Sequence, residues 1–78
     1  MITKEDIVVG FKFRVDMTGD SHEVVDVIDS EFVKLLNISS NRSKPFNFKT
    51  IDIVNDINDG YYLIIYQPNV KLTYKETL

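Results

Sequence analysis

The chain has 78 residues, no cysteine and a formal net charge of −3 at pH 7. This length fits one domain over residues 1–78 with a single small core. The negative net charge argues against non-specific nucleic-acid binding. The lack of cysteine excludes disulfides and thiolate metal sites. The charged N-terminus is unlike a signal peptide and the longest apolar run, residues 61–66, is too short to span a membrane, so we expect a cytoplasmic protein with no membrane association.

The first ten residues indicate a short lead-in rather than a strand. Thr3 followed by Asp6 fits the capping box of a single helical turn. Residues 11–16 then alternate between apolar and polar side chains, which is typical of a half-buried strand. The apolar positions of this strand are Phe11, Phe13 and Val15.

Residues 22–29 predict a second strand, because they are rich in valine. Its alternation breaks at Val24–Val25 and again at Val27–Ile28, and a β-bulge would explain such doubling. Residues 29–31 predict a hairpin connection to a third strand over residues 32–38.

The charges are segregated along the chain. Residues 16–31 contain acids but no Lys or Arg, whereas residues 32–51 contain bases but no acid. Opposite charges on paired strands stabilise the pairing, so this segregation predicts cross-strand complementarity.

A polar loop over residues 39–45 leads to a short fourth strand at residues 46–48 and then to a helix. Thr50 is the predicted N-cap, and Gly60 is the predicted helix stop. The helical spacing of the apolar residues predicts one buried face, which the weak helix propensity of this segment requires for stability. The residues of that face are Ile51, Ile53, Val54 and Ile57.

Two further strands follow the helix. Residues 61–66 are all apolar or aromatic, so neither face of this fifth strand is expected to be fully solvated. Residues 70–75 alternate between apolar and polar side chains and predict a sixth strand with lysines that discourage edge pairing.

The order turn-β-β-β-β-α-β-β is typical of a mainly β fold with one short helix. We predict a small SH3-like antiparallel barrel, in which the strands curl to remove free edges. An OB-like barrel is the alternative, but its helix falls between the third and fourth strands.

A family resemblance agrees with this fold. Gly10 before Phe11 and Phe13, the segments HEVVDVID and FVKLL, and the junction IVNDINDGYYLI resemble small SH3-like proteins of phages and mobile elements. The resemblance covers nearly the whole chain and implies a fold and a biological context. It implies no activity, because such proteins have none in common.

The residues for catalysis or metal binding are sparse. His22 is the only histidine, which is weak support for a transition metal, and none of the serines lies in a Gly-x-Ser-x-Gly elbow. We therefore expect no enzyme activity, no metal, no cofactor and no small-molecule substrate.

Two candidate surfaces remain. The third and fifth strands carry more apolar side chains than one core needs, which favours an interaction module that binds a protein partner or a second copy of itself. The predicted protein-binding residues are Leu36, Ile38, Tyr62, Ile64 and Tyr66. The other interpretation is that the helix and the last strand cover this surface.

The alternative function is binding of nucleic acid by residues 41–49, where bases alternate with aromatic rings. The predicted contact residues are Arg42, Lys44, Phe46 and Lys49. The competing interpretation places the rings in the core and leaves the cations in a solvated loop. In a mobile-element context, the first hypothesis becomes a modulator of a host protein.

Overall fold

The computed structural model describes residues 1–68. Its elements are a 3-10 turn (Lys4–Asp6), β1 (Lys12–Val15), β2 (Ser21–Val27), β3 (Phe32–Asn37), β4 (Phe46–Lys49), α1 (Thr50–Asn58) and β5 (Tyr62–Tyr66). The predicted sixth strand, residues 70–75, lies outside the described residues. No helix in residues 1–68 has the length and apolar character needed to cross a membrane.

The strands form one antiparallel sheet in the order β4-β3-β2-β1-β5. Short connections join β1 to β4 in succession, and α1 then carries the chain to the free edge of β1. The prediction of a mainly β fold with one short helix is confirmed, and the helix follows the fourth strand. In residues 1–68, β4 and β5 occupy opposite edges of the sheet, so closure into a barrel stays a prediction.

The register of the strand pairs divides the side chains between two faces, because residues directly opposite each other share a face. We call the face of Phe13 and Val24, which α1 and the N-terminal segment cover, the inner face, and the opposite one the outer face. The inner face and its cover form a core of nine buried apolar residues: Ile2, Ile7, Phe11, Phe13, Val24, Val33, Leu35, Ile53 and Val54.

The helix packs on the core through Ile53 and Val54, while Ile51 is 43% exposed. The prediction that Thr50 is the N-cap is wrong, because Lys49 takes that position. Thr50 is the first helical residue; its amide donates to the Glu31 carbonyl at 2.9 Å, and its side chain is buried. The Thr50 side chain is therefore buried instead of capping the helix.

Gly60 ends the helix as predicted. Its φ of 88° lies in the left-handed region, which glycine adopts without a Cβ clash. The chain can therefore reverse at once, and β5 begins at Tyr62.

Hydrogen bonds hold the N-terminal segment at the start of its 3-10 turn. The Thr3 amide donates to Asp6 Oδ2 at 2.9 Å, as the predicted capping box requires. The Asn58 side chain accepts from the Ile2 amide at 3.1 Å and donates to the Ile2 carbonyl at 3.1 Å. The last turn of α1 therefore holds the start of the chain against the core.

One of the two predicted irregularities in the second strand is confirmed. The β2–β3 register shifts between Val24 and Asp26, which leaves Val25 as an extra residue. The other was predicted at Val27–Ile28, but β2 ends at Val27.

A second bulge lies in β5. Phe13 is opposite Ile64, whereas Lys12 is opposite Tyr66, so Ile65 is an extra residue between them. Because a bulge changes the alternation of a strand, Tyr66 lies on the outer face while Ile64 lies on the inner face.

Candidate functional site

The inner face carries a row of aromatic side chains that includes the buried Phe13. The Phe13 ring stacks on Tyr62 with a centroid distance of 4.8 Å and on His22 with a distance of 5.5 Å. His22 in turn meets the edge of Phe46 at 6.1 Å. Contacts of this kind stabilise a core in addition to the area they bury, so the row extends the packing of the inner face from β5 to β4.

Tyr62 joins this row to the helix. The pKa of Tyr62 is raised by burial and by the negative charge and hydrogen bonding of the nearby Asp56 carboxylate. A ring stacked on Phe13 with a hydrogen-bonded hydroxyl is a structural side chain. Tyr62 therefore contributes to the fold rather than to a free surface.

His22 is in the middle of the row. Burial lowers the pKa of the imidazole, and the nearby Asp20 carboxylate acts in the opposite direction. Nδ1 is buried and has no hydrogen-bond partner in the part of the chain that the structure describes. In that same part, no group of three or more His, Asp or Glu residues could hold a metal ion.

The outer face has a different composition. Its strand pairs place Tyr66 opposite Lys12 and Leu63 opposite Arg14. Lys12 is in turn opposite Glu23. The predicted complementarity between the acids of residues 16–31 and the bases of residues 32–51 is present where Asp26 is opposite Lys34.

The apolar side chains of β5 remain open to solvent. The exposed fraction is 43% for Leu63, 52% for Ile65 and 53% for Tyr66. Beside them on β1, the Lys12 Nζ lies 5.2 Å from the centroid of the Tyr66 ring, and Arg14 is exposed. We call the five residues Lys12, Arg14, Leu63, Ile65 and Tyr66 the β5–β1 surface.

The structure divides the predicted protein-binding residues between the two faces. Leu36 and Tyr66 lie in one row across the outer face, at the two ends of the Lys12–Glu23 pair. Tyr62 and Ile64 lie on the inner face. Ile38 follows β3, donates its amide to the Ser21 carbonyl at 2.9 Å and is 42% exposed.

Sequence reasoning missed Leu63 and Ile65. Residues 61–66 are apolar throughout, so they contain no alternation that would show which side chains face outward. The orientation of these side chains follows only from the pairing with β1. Arg14 and Lys12 are polar positions of that alternating strand and lie on the outer face, so the β5 residues opposite them lie there too.

The predicted nucleic-acid residues are also separated. Arg42 and Lys44 are exposed in the loop before β4. Phe46 is opposite Leu35 and lies on the inner face, whereas Lys49 is opposite Phe32 and lies on the outer face. One flat nucleic-acid strand could therefore contact only part of this set at once.

A mainly apolar concavity of about 400 Å³ lies between the 3-10 turn, the β2–β3 connection and the start of α1. Its lining includes Ile7, Val33 and Thr50. The Thr50 hydroxyl is enclosed and has no hydrogen-bond partner within residues 1–68. Because it is enclosed, it offers no polar contact to a molecule in the concavity.

Comparison of the chain with known protein families, with curated proteins and with solved structures finds no match.

Proposed function

We propose that the protein is a non-enzymatic interaction module that binds a protein partner through the β5–β1 surface. The observation that supports this most is the exposure of Leu63, Ile65 and Tyr66 together on one short strand. Contiguous apolar side chains in solvent are the feature that distinguishes an interaction surface from scattered exposed residues. This proposal retains Tyr66 from the sequence-based set and replaces Tyr62 and Ile64 by Leu63 and Ile65.

The position of the surface supports the same function. β5 pairs with β1 at the edge of the sheet. Ile53 and Val54 of α1 pack on the inner face, so the helix does not cover the outer face of these two strands. Tyr66 also suits an interface, because a tyrosine offers a large apolar ring with a polar group at its end. Loss of the exposed side chains should therefore change binding without unfolding the sheet.

The resemblance to small phage and mobile-element proteins gives this proposal a setting. In that setting the partner would be a host protein, and the module would modulate that protein by occupying one of its surfaces. No residue of the β5–β1 surface needs to do chemistry for this role.

A display selection tests the proposal. A random-peptide library is selected on the full chain, and each selected peptide is then titrated against Leu63→Thr/Tyr66→Thr, in which threonine keeps the strand propensity but removes the apolar side chains. We expect affinity to fall at least about tenfold, which corresponds to about 1.4 kcal/mol. Circular dichroism checks that the variant is folded.

The matched control is Val9→Thr/Met17→Thr, which removes two apolar side chains that are exposed elsewhere in the chain. It should bind the selected peptides as the wild type does. Equal affinity of the peptides for the wild type and for Leu63→Thr/Tyr66→Thr would refute the proposal.

A further inference from the structure

The outer face is basic although the chain is acidic. On the described strands this face carries four of the chain's nine Lys and Arg residues but two of its twelve Asp and Glu residues. These residues are Lys12, Arg14, Lys34 and Lys49, and Glu23 and Asp26. Asp16, just beyond β1, continues the face of Lys12 and Arg14, and its amide donates to the Tyr61 carbonyl at 3.0 Å. The excess of positive charge in a chain with a net charge of −3 is therefore confined to the strands of this face.

Positive and apolar groups are interleaved in the β5–β1 surface itself. Arg14 lies directly opposite Leu63, and Lys12 lies opposite Tyr66 with its ammonium group 5.2 Å from the ring centroid. A partner that covers Leu63 and Tyr66 therefore also covers both cations. Glu23 lies opposite Lys12 on β2, whereas Arg14 has the uncharged Ser21 and Leu63 opposite it. Covering a cation without pairing it is costly, so a partner with negative charge opposite Arg14 is favoured.

We infer that the β5–β1 surface binds an acidic segment of another protein, in which carboxylates alternate with large apolar side chains. This inference rests on the proposed function and names the chemistry of its partner. The apolar side chains of the segment contact Leu63, Ile65 and Tyr66. Its carboxylates pair with Lys12 and Arg14, where the planar guanidinium of Arg14 can receive a carboxylate through two hydrogen bonds.

A second copy of the chain fits this surface less well. In a twofold contact each copy presents the same patch, so both sides of the contact carry the same net charge. The outer face has an excess of two positive charges over its strands, and like charges brought together across an interface oppose association. Glu23 and Asp26 lie on the central strand β2 of this face, while most other acids of residues 1–68 lie on the turns and on α1.

Nucleic acid also fits less well, for a different reason. Single-stranded nucleic acid binds by stacking its bases on aromatic rings. The β5–β1 surface has one ring, that of Tyr66, and Lys12 already lies over it. Leu63 and Ile65 are aliphatic and offer no plane on which a base can stack.

Three synthetic peptides of equal length test the inference. Each alternates leucine with one other residue, which is aspartate, asparagine or lysine, and binding to the isotope-labelled full chain is followed by amide chemical shifts. We expect the aspartate peptide to bind about tenfold or more tightly than the asparagine peptide, with the largest shifts in β1 and β5. Added salt should reduce this difference, because it screens the charges.

Arg14→Glu should abolish the preference for the aspartate peptide, and Arg14→Gln should reduce it. The matched control is Lys44→Glu, which makes the same change in net charge at an exposed loop position and should leave the preference intact. An equal loss in Lys44→Glu would show that only the net charge of the chain matters and would overturn the inference.

The remaining outcomes separate this inference from the proposed function. If the asparagine peptide binds β5 as tightly as the aspartate peptide, the acidic partner is refuted, while an apolar interaction surface stands. Shifts in β5 that depend on protein concentration without peptide would identify a second copy as the occupant and overturn the inference. Tighter binding of a single-stranded oligothymidylate to the same residues would overturn both.

Discussion

The two faces of the sheet in this protein are made from the same strands but differ in what covers them. On β3, Leu35 is 1% exposed within the core, whereas its neighbour Leu36 is half-buried on the outer face. On the inner face, the helix and the N-terminal segment complete a buried core, while Phe46 and Ile64 on the edge strands are 40% exposed. Stability is therefore concentrated on one face, which leaves the other free to present apolar and basic side chains to a partner.

The largest expected effect on stability comes from a comparison of two adjacent leucines, Leu35 and Leu36. We expect Leu35→Ala to lower the free energy of unfolding by about 2–5 kcal/mol, because it removes buried methyl groups and leaves a cavity in a tightly packed core. Leu36→Ala, on the opposite face, should lower it by about 1 kcal/mol or less. Urea denaturation of both variants measures the two values.

Leu35→Ala and Leu36→Ala serve as controls for each other, because both replace a leucine by alanine at neighbouring positions of β3. Similar losses in both would mean that the outer face is packed as tightly as the inner one. The β5–β1 surface would then lose its distinction as the open part of the sheet.

Much of this inner core could be predicted from the sequence. The alternation of residues 11–16 identified Phe11 and Phe13, and the doubling at Val24–Val25 identified a bulge, because both leave a visible change in period. Thr50 was assigned wrongly to the N-cap since a threonine at a helix start gives the same sequence signal whether its hydroxyl caps an amide or is buried.

A second prediction concerns the cover of the inner face. Asn58→Ala removes the acceptor and the donor that hold the Ile2 backbone, and we expect a loss of about 1–2 kcal/mol in the free energy of unfolding. Amide hydrogen exchange at Ile2 should accelerate more than exchange at Val24, because the N-terminal segment opens locally.

Asn55→Ala is the matched control on the same helix, where the side chain is exposed. It should change stability by less than about 0.5 kcal/mol. Unchanged exchange at Ile2 in Asn58→Ala would show that the N-terminal segment is held by apolar packing alone.

The smallest effect is expected at His22, where the inner face meets solvent. Burial lowers the pKa of this imidazole in the folded state, so the unfolded chain binds the proton more readily. The stability that the neutral imidazole contributes is present above the unfolded pKa of about 6.5 and is lost as the pH falls below it.

Urea midpoints of the wild type and of His22→Gln between about pH 5.5 and about pH 7.5 measure this contribution. The wild type should lose more stability than His22→Gln as the pH falls, and the difference between the two isolates His22 from the carboxylates. Parallel curves for the two proteins would contradict the prediction.

The candidate surface was harder to predict than the core. Tyr62, Ile64 and Tyr66 have the spacing of one strand face, but the extra residue Ile65 moves Tyr66 to the other side. An unbroken apolar run carries no trace of such a shift, and only pairing with β1 reveals it. The excess of apolar residues that suggests a binding surface could be predicted from the sequence. The face of the sheet on which these residues lie could not.

The bulge in β5 also has an evolutionary consequence. Deleting one residue from a strand ordinarily reverses the orientation of every side chain beyond it. Ile65 is an exception, because it is the unpaired residue between the Phe13–Ile64 and Lys12–Tyr66 pairs, and its deletion would leave both pairs in place. Insertion and deletion at this one position can therefore enlarge or shrink the exposed apolar area while the ladder keeps its register.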